Sequence, residues 1–174
     1  MESVSYASAV SYNAIRSQWL HGLNLVWRLL YIHRKGFRCG GLPMVQPKTA
    51  RVLIVDDEED LCWTLTKILE DLNYQVVCAH TTKAALQHLQ KDRQKDKPIR
   101  LALLDVRLPD MGETGGLELL KKIKRLRPRM SVIAMSAFGS PPVKTQAKRL
   151  GAVAFLDKPF RVEKLLKLIR ENLD

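Results

Sequence analysis

Arg51-Val52-Leu53-Ile54-Val55-Asp56-Asp57-Glu58-Glu59 is a β-branched apolar run that stops abruptly on a block of acids. An apolar run without alternation marks a strand buried on both faces, as in a parallel sheet. A carboxylate closing such a strand is costly unless a cation or chemistry holds it. The pattern recurs. Leu101-Ala-Leu-Leu ends on Asp105, Val132-Ile-Ala-Met ends on Ser136, and Ala154-Phe-Leu-Asp157 leads into Lys158-Pro159.

Between these runs the apolar residues fall at helical spacing. The pattern predicts strands over 51–56, 74–78, 100–104, 131–135 and 153–156. It predicts helices over about 58–72, 82–91, 116–127, 141–150 and 161–172. Thr81 is the expected N-cap of the second helix, and Pro128 ends the third. A charged loop spans 91–98. Strands alternating with helices imply an α/β fold, a doubly wound five-stranded parallel sheet with helices on both faces. The flavodoxin-like strand order 2-1-3-4-5 is expected. That order sets strands one and three side by side. Right-handed crossovers then carry Asp56, Asp57, Asp105, Ser136 and Lys158 to one rim, beyond the carboxyl ends of the strands.

The chain has 174 residues, of which 46% are hydrophobic, enough for one sizeable core plus an extension. Composition shifts near Pro47, so residues 1–49 are expected to be an N-terminal extension, disordered or partly helical, and 50–174 the folded domain. Gly40-Gly41-Leu42-Pro43 punctuates the boundary. Trp19, Leu20, Leu23, Val26, Trp27 and Leu30 make the extension apolar, but His21, Asn24 and Arg28 interrupt it. It falls short of the roughly 18 apolar residues of a spanning helix. Membrane contact through residues 1–43 is a secondary reading. The cysteines Cys39, Cys62 and Cys78 have no metal-ligand spacing, and reduced thiols in a cytoplasmic protein are expected. Net charge is +11. The run Lys121, Lys122, Lys124, Arg125, Arg127, Arg129 reads as a solvated helix face, and His80 and His88 as surface or packing residues.

Group chemistry narrows the rim further. A carboxylate can be a nucleophile that forms an aspartyl phosphate. Clustered acids need a dication, and Mg²⁺ takes oxygen ligands while keeping several waters. A lysine and a hydroxyl can then hold phosphoryl oxygens.

As a set, these motifs resemble the receiver domain of two-component response regulators over about residues 50–172. The resemblance implies that Asp105 accepts a phosphoryl group from a histidine kinase or a histidine phosphotransfer protein. It implies Mg²⁺ bound by Asp57, Asp56, Asp105 and the backbone carbonyl of Arg107. It assigns phosphoryl binding to Ser136 and Lys158. Phe155 and Ser136 become switch residues, and Lys158-Pro159 is expected to be cis. The domain would be a phosphoacceptor that assists its own phosphorylation and dephosphorylation, rather than an enzyme. With no segment after the fifth helix, output is expected through contact with a downstream protein target, without direct nucleic-acid binding. The loop Leu108-Pro109-Asp110-Met111-Gly112-Glu113-Thr114-Gly115-Gly116 departs from the family pattern by a short glycine-rich insertion. Two rivals stand beside this reading. A DNA-binding regulator fits the charge but has no recognition motif. An Asp-nucleophile phosphatase of the haloacid-dehalogenase type wants a second acid where Arg107 stands.

Overall fold

The computed structural model describes residues 50–92 and 98–173. The expectations for residues 1–49, Cys39 and most of the loop 91–98 lie outside the described residues. The elements are β1 Arg51–Val55, α1 Glu59–Asp71, β2 Gln75–Ala79, α2 Thr82–Lys91, β3 Ile99–Asp105, a 3-10 turn Pro109–Met111, α3 Gly115–Leu126, β4 Ser131–Ser136, α4 Pro141–Arg149, β5 Ala154–Asp157 and α5 Val162–Leu173. The strands form one parallel sheet in the order β2-β1-β3-β4-β5. This is the five-stranded doubly wound architecture expected from the apolar runs.

Alternation along each central strand divides the core in two. Leu53 and Val55 of β1, Ala102 and Leu104 of β3, and Val132 and Ala134 of β4 pack on one side with Leu89, Leu120, Ile123 and Ala147 from α2, α3 and α4. Val52 and Ile54, Leu101 and Leu103, and Ile133 and Met135 pack on the other with Leu65, Leu69, Leu165 and Ile169 from α1 and α5. Both faces of these strands are therefore dry, which explains runs without polar alternation. Each such buried Leu, Ile or Val contributes roughly 1.5–3 kcal/mol of transfer free energy.

Local signals act where expected. The Thr81 hydroxyl accepts the Ala84 N–H at 3.1 Å and caps α2. Helix α3 stops at Leu126, two residues before Pro128, which disfavours helical geometry in the residue preceding it. At the rim where the strands begin, buried Asp92 accepts the Ile99 N–H at 2.6 Å and pairs with Arg51 and with Arg127. That cluster joins the ends of α2 and α3 to β1 and β3. Most boundaries shift by one residue from the sequence reading. At the site this matters for β1, which ends at Val55, so that Asp56 leaves the strand. Its N–H still bonds the Ala79 carbonyl at 3.1 Å, but its own carbonyl turns to His80 Nδ1 at 2.9 Å.

Candidate functional site

The site is built at the rim where the strands end. Asp56 continues the parity of Val52 and Ile54, and Asp105 that of Leu101 and Leu103. Both carboxylates therefore turn to the same side of the sheet. β1 and β3 are neighbours with Val55 opposite Leu104, which sets Asp56 beside Asp105. Asp57 follows, exposed to solvent, and carboxylate oxygens of Asp56, Asp57 and Asp105 all lie within 4.8 Å of one another. Burial decides their character: Asp56 is 0% exposed and Asp105 5%.

Lys158 crosses to them from the end of β5. Its ammonium donates to Asp105 Oδ2 at 2.6 Å, Asp56 Oδ2 at 2.7 Å and Glu58 Oε1 at 2.8 Å. The Lys158 N–H bonds the Ser136 carbonyl at 2.8 Å, extending the β4–β5 pairing and fixing the lysine stem. The Lys158-Pro159 bond is cis. Ser136 lies at the same rim, and its hydroxyl accepts the Phe138 N–H at 3.1 Å. Phe155 is half-buried on the α4 side, with the Lys144 ammonium 5.7 Å from its ring centroid. The Arg107 guanidinium lies 4.8 Å over the exposed Phe138 ring, and the Arg107 N–H donates to Asp105 Oδ1 at 2.9 Å.

The electrostatics are those of an anionic pocket held by one lysine. Burial pushes the Asp56 carboxyl above the usual carboxylate range, against the hydrogen bond and charge of Lys158 and the N–H of Glu58; the Asp105 charge adds to the rise. Burial alone would lower the Lys158 pKa. Its hydrogen bonds to Asp105, Asp56 and Glu58 outweigh that and hold it above the ordinary lysine range. Three carboxylates, Asp56, Glu58 and Asp105, share one ammonium, and Asp57 stands within 4.8 Å of Asp56 and Asp105, so acids outnumber the base. Clustered hard oxygen donors of this kind suit Mg²⁺. The residues present therefore fit the expected dication.

Sequence reading missed three contributors. Glu58, quoted only as part of the acid block after the first strand, is the third partner of Lys158. His80, read as a surface or packing residue, is exposed, and the partner it packs against is the Asp56 carbonyl. Asp110 accepts both the N–H and the hydroxyl of Thr82, each at 2.8 Å, and so ties the inserted loop to the start of α2. No local pattern marks such pairs, since their partners lie 24 to 100 residues away. The insertion leaves the start of α3 intact. Gly116 sits so close beneath β3 that a Cβ would overlap the Asp105 carbonyl, and its N–H bonds the Val106 carbonyl at 2.9 Å.

A doubly wound sheet with three acids and a lysine at its carboxyl rim defines a class, and comparison with known proteins gives the family. The response regulator receiver domain model matches residues 52–170, and the chain belongs to that family. A putative response regulator NtrX-like protein of Rickettsia bellii is 35% identical over 71% of this chain, which spans 27% of that relative's length. A CheY-like receiver domain protein from Methanospirillum hungatei superposes with a TM-score of 0.64 at 35% identity, covering 72% of this chain and 94% of that one. A Burkholderia pseudomallei response regulator, solved with a phosphorylated aspartic acid, calcium ion and citrate, superposes with a TM-score of 0.61 at 27% identity, covering 71% and 68%. Among the described residues no helix is long and apolar enough to cross a membrane.

Proposed function

We propose that this chain is the phosphoacceptor of a two-component phosphorelay, phosphorylated on Asp105 with Mg²⁺. One observation carries the reading. A single ammonium, Lys158, bonds two buried carboxylates, Asp56 and Asp105, while Asp57 stands within ligand distance of both. The phosphorylated aspartic acid of the Burkholderia relative supports the same chemistry.

The Arg107 N–H holds Asp105 Oδ1 and Lys158 holds Oδ2, so Lys158 has to release Oδ2 for it to become the attacking atom. Oδ2 attacks phosphorus of a phosphohistidine. The new O–P bond forms as the P–N bond breaks, and the imidazole of the donor leaves with the electron pair. Asp56, Asp57, Asp105 and the Arg107 carbonyl would hold Mg²⁺, which neutralises charge on the phosphoryl oxygens. Lys158 then exchanges Asp105 Oδ2 for a phosphoryl oxygen. Ser136 gives up the Phe138 N–H and donates its hydroxyl to another. Movement of Ser136 is transmitted to Phe155 through the β4–β5 pairing, changing the surface that a downstream protein reads. The donor is a histidine kinase or a histidine phosphotransfer protein. The domain promotes its own phosphorylation and dephosphorylation without turning over a separate substrate. Free Cys62 and Cys78 fit a reducing cytoplasm.

The test is labelling with acetyl phosphate and Mg²⁺, read by intact mass. One acid-stable, base-labile phosphoryl group is expected, lost in Asp105→Asn and lost on chelation with EDTA. Equal labelling of Asp105→Asn would overturn the assignment.

A further inference from the structure

Between Glu118 and Asp157 the chain carries nine basic side chains and no acid. Three of them are engaged. Arg127 pairs with Asp92 at 3.4 Å, Lys144 with Asp157 at 2.8 Å, and Lys124 donates to the Met130 carbonyl at 2.6 Å. The other six, Lys121, Lys122, Arg125, Arg129, Lys148 and Arg149, are exposed. None has an ion-pair partner among the described residues.

The fold gathers these six. They lie on α3, on the turn after it, and on the last turn of α4. Both helices cover the same face of the sheet and pack against each other. Gly151, just after α4, lies against the Lys124 stem, where a Cβ would stand 3.1 Å from Cε. The basic ends of α3 and α4 therefore meet at the rim where the strands begin, opposite Asp105.

Helix-end bases complement the partial negative charge of terminal carbonyls, which accounts for Arg125, Lys148 and Arg149 individually. It does not account for the missing acids. A solvated helix face interleaves charges, because like charges at i,i+3 and i,i+4 repel by about 0.2–0.5 kcal/mol per pair. Lys121, Lys122 and Arg125 form such a set, with Glu118 as the one acid at helical spacing from it.

We infer that this basic rim of α3 and α4 is a binding surface for the phosphate backbone of duplex nucleic acid. The surroundings select that occupant. A protein interface centres on buried aromatic or aliphatic anchors, and the exposed residues of α3 and α4 are Lys, Arg, Thr145, Gln146, Pro141, Pro142 and Glu118. A membrane-surface helix presents an apolar face, but Leu117, Leu119, Leu120 and Ile123 of α3 are buried in the core. Lysine, arginine, threonine and glutamine are the side chains that contact phosphates, where they fix register without reading sequence. This surface supersedes the reading of the run as a solvated face, and it is independent of the phosphoacceptor site.

The test compares the full chain with its variant Lys121→Gln/Lys122→Gln/Arg125→Gln/Arg129→Gln, using a fluorescent mixed-sequence DNA duplex. The N-terminal bases are present in both proteins, so the difference isolates the rim. Neutralising about four to six phosphates predicts a roughly 10²- to 10³-fold loss of affinity between 50 and 200 mM salt. In the variant the log–log salt slope should flatten by ~3–4. A Lys148→Gln/Arg149→Gln variant should flatten it by ~2. Circular dichroism melts check that the variants fold. No duplex binding at 50 mM salt, or an unchanged slope in both variants, would overturn the inference. So would tighter binding to polyglutamate or to phosphatidylserine vesicles than to duplex, lost in the same variants.

Discussion

At the scale of single residues, Asp56 is held at a cost. It is fully buried, and its raised pKa means that its charge destabilises the metal-free fold. A raised carboxyl pKa contributes stability that is complete below the unfolded value near 3.8 and is lost as pH rises through the folded one. Metal-free protein should therefore lose stability as pH climbs above about 4 towards neutrality, through this group. Asp56→Asn should raise the metal-free melting temperature by about 2–5 °C, close to 1 kcal/mol for a domain of this size. The same variant should lose most of the stabilisation that Mg²⁺ gives the parent, which rises with metal concentration by mass action. Thermal melts with and without Mg²⁺ decide it; a variant that melts lower than the parent without metal would contradict the argument. Lys158 has the opposite charge and the same sign of linkage. Its contribution is complete below the unfolded lysine range and is lost only in strong alkali.

At the scale of elements, the β3–α3 connection is the place to probe. Gly116 lets α3 close on β3 directly behind the Asp105 backbone. Gly116→Ala forces the helix away from the strand and should destabilise by ~2–4 kcal/mol, read as a shift in urea midpoint. Asp110 works as a cap supplied from outside α2, taking the Thr82 N–H and hydroxyl. Asp110→Ala should cost about 1 kcal/mol, the ordinary worth of an N-cap. Hydrogen exchange should show the loss in the first turn of α2. Protection there unchanged from the parent would mean that the loop does not hold the helix.

At the scale of the whole molecule, both rims of the sheet carry buried acids, with different fates. Asp56 and Asp105 share one lysine and are left with surplus negative charge. Asp92 is paired with Arg51 and Arg127 and takes the Ile99 N–H. Asp92→Ala leaves two partly buried guanidinium groups without their acid and should cost roughly 3–5 kcal/mol. Labelling of the folded fraction on Asp105 should be unaffected, because the two clusters lie at opposite ends of the strands. A chain shortened to begin at Met44 should also fold and accept phosphate at the parent rate. Among the described residues, those of 50–92 and 98–173 supply both halves of the core. An unfolded or inert product would show that residues 1–43 belong to the domain.

The alternation of dry strands with amphipathic helices was legible in the sequence, because burial on both faces removes polar residues from a strand and leaves runs such as Val52–Val55. Residues closing those runs were legible too. A parallel sheet carries every strand end to one rim, so Asp56, Asp57, Asp105, Ser136 and Lys158 could be grouped from order alone. Other features were decided only in three dimensions. Glu58 on Lys158, Asp110 on Thr82, His80 behind Asp56 and Asp92 between two arginines join residues far apart in the chain, and each partner alone is an ordinary polar residue. In one dimension the run Lys121, Lys122, Lys124, Arg125, Arg127, Arg129 reads as a solvated helix face, with nothing to join it to Lys148 and Arg149. Packing of the two helices at one rim makes them a single surface, because Coulomb fields add by distance in space and not along the chain.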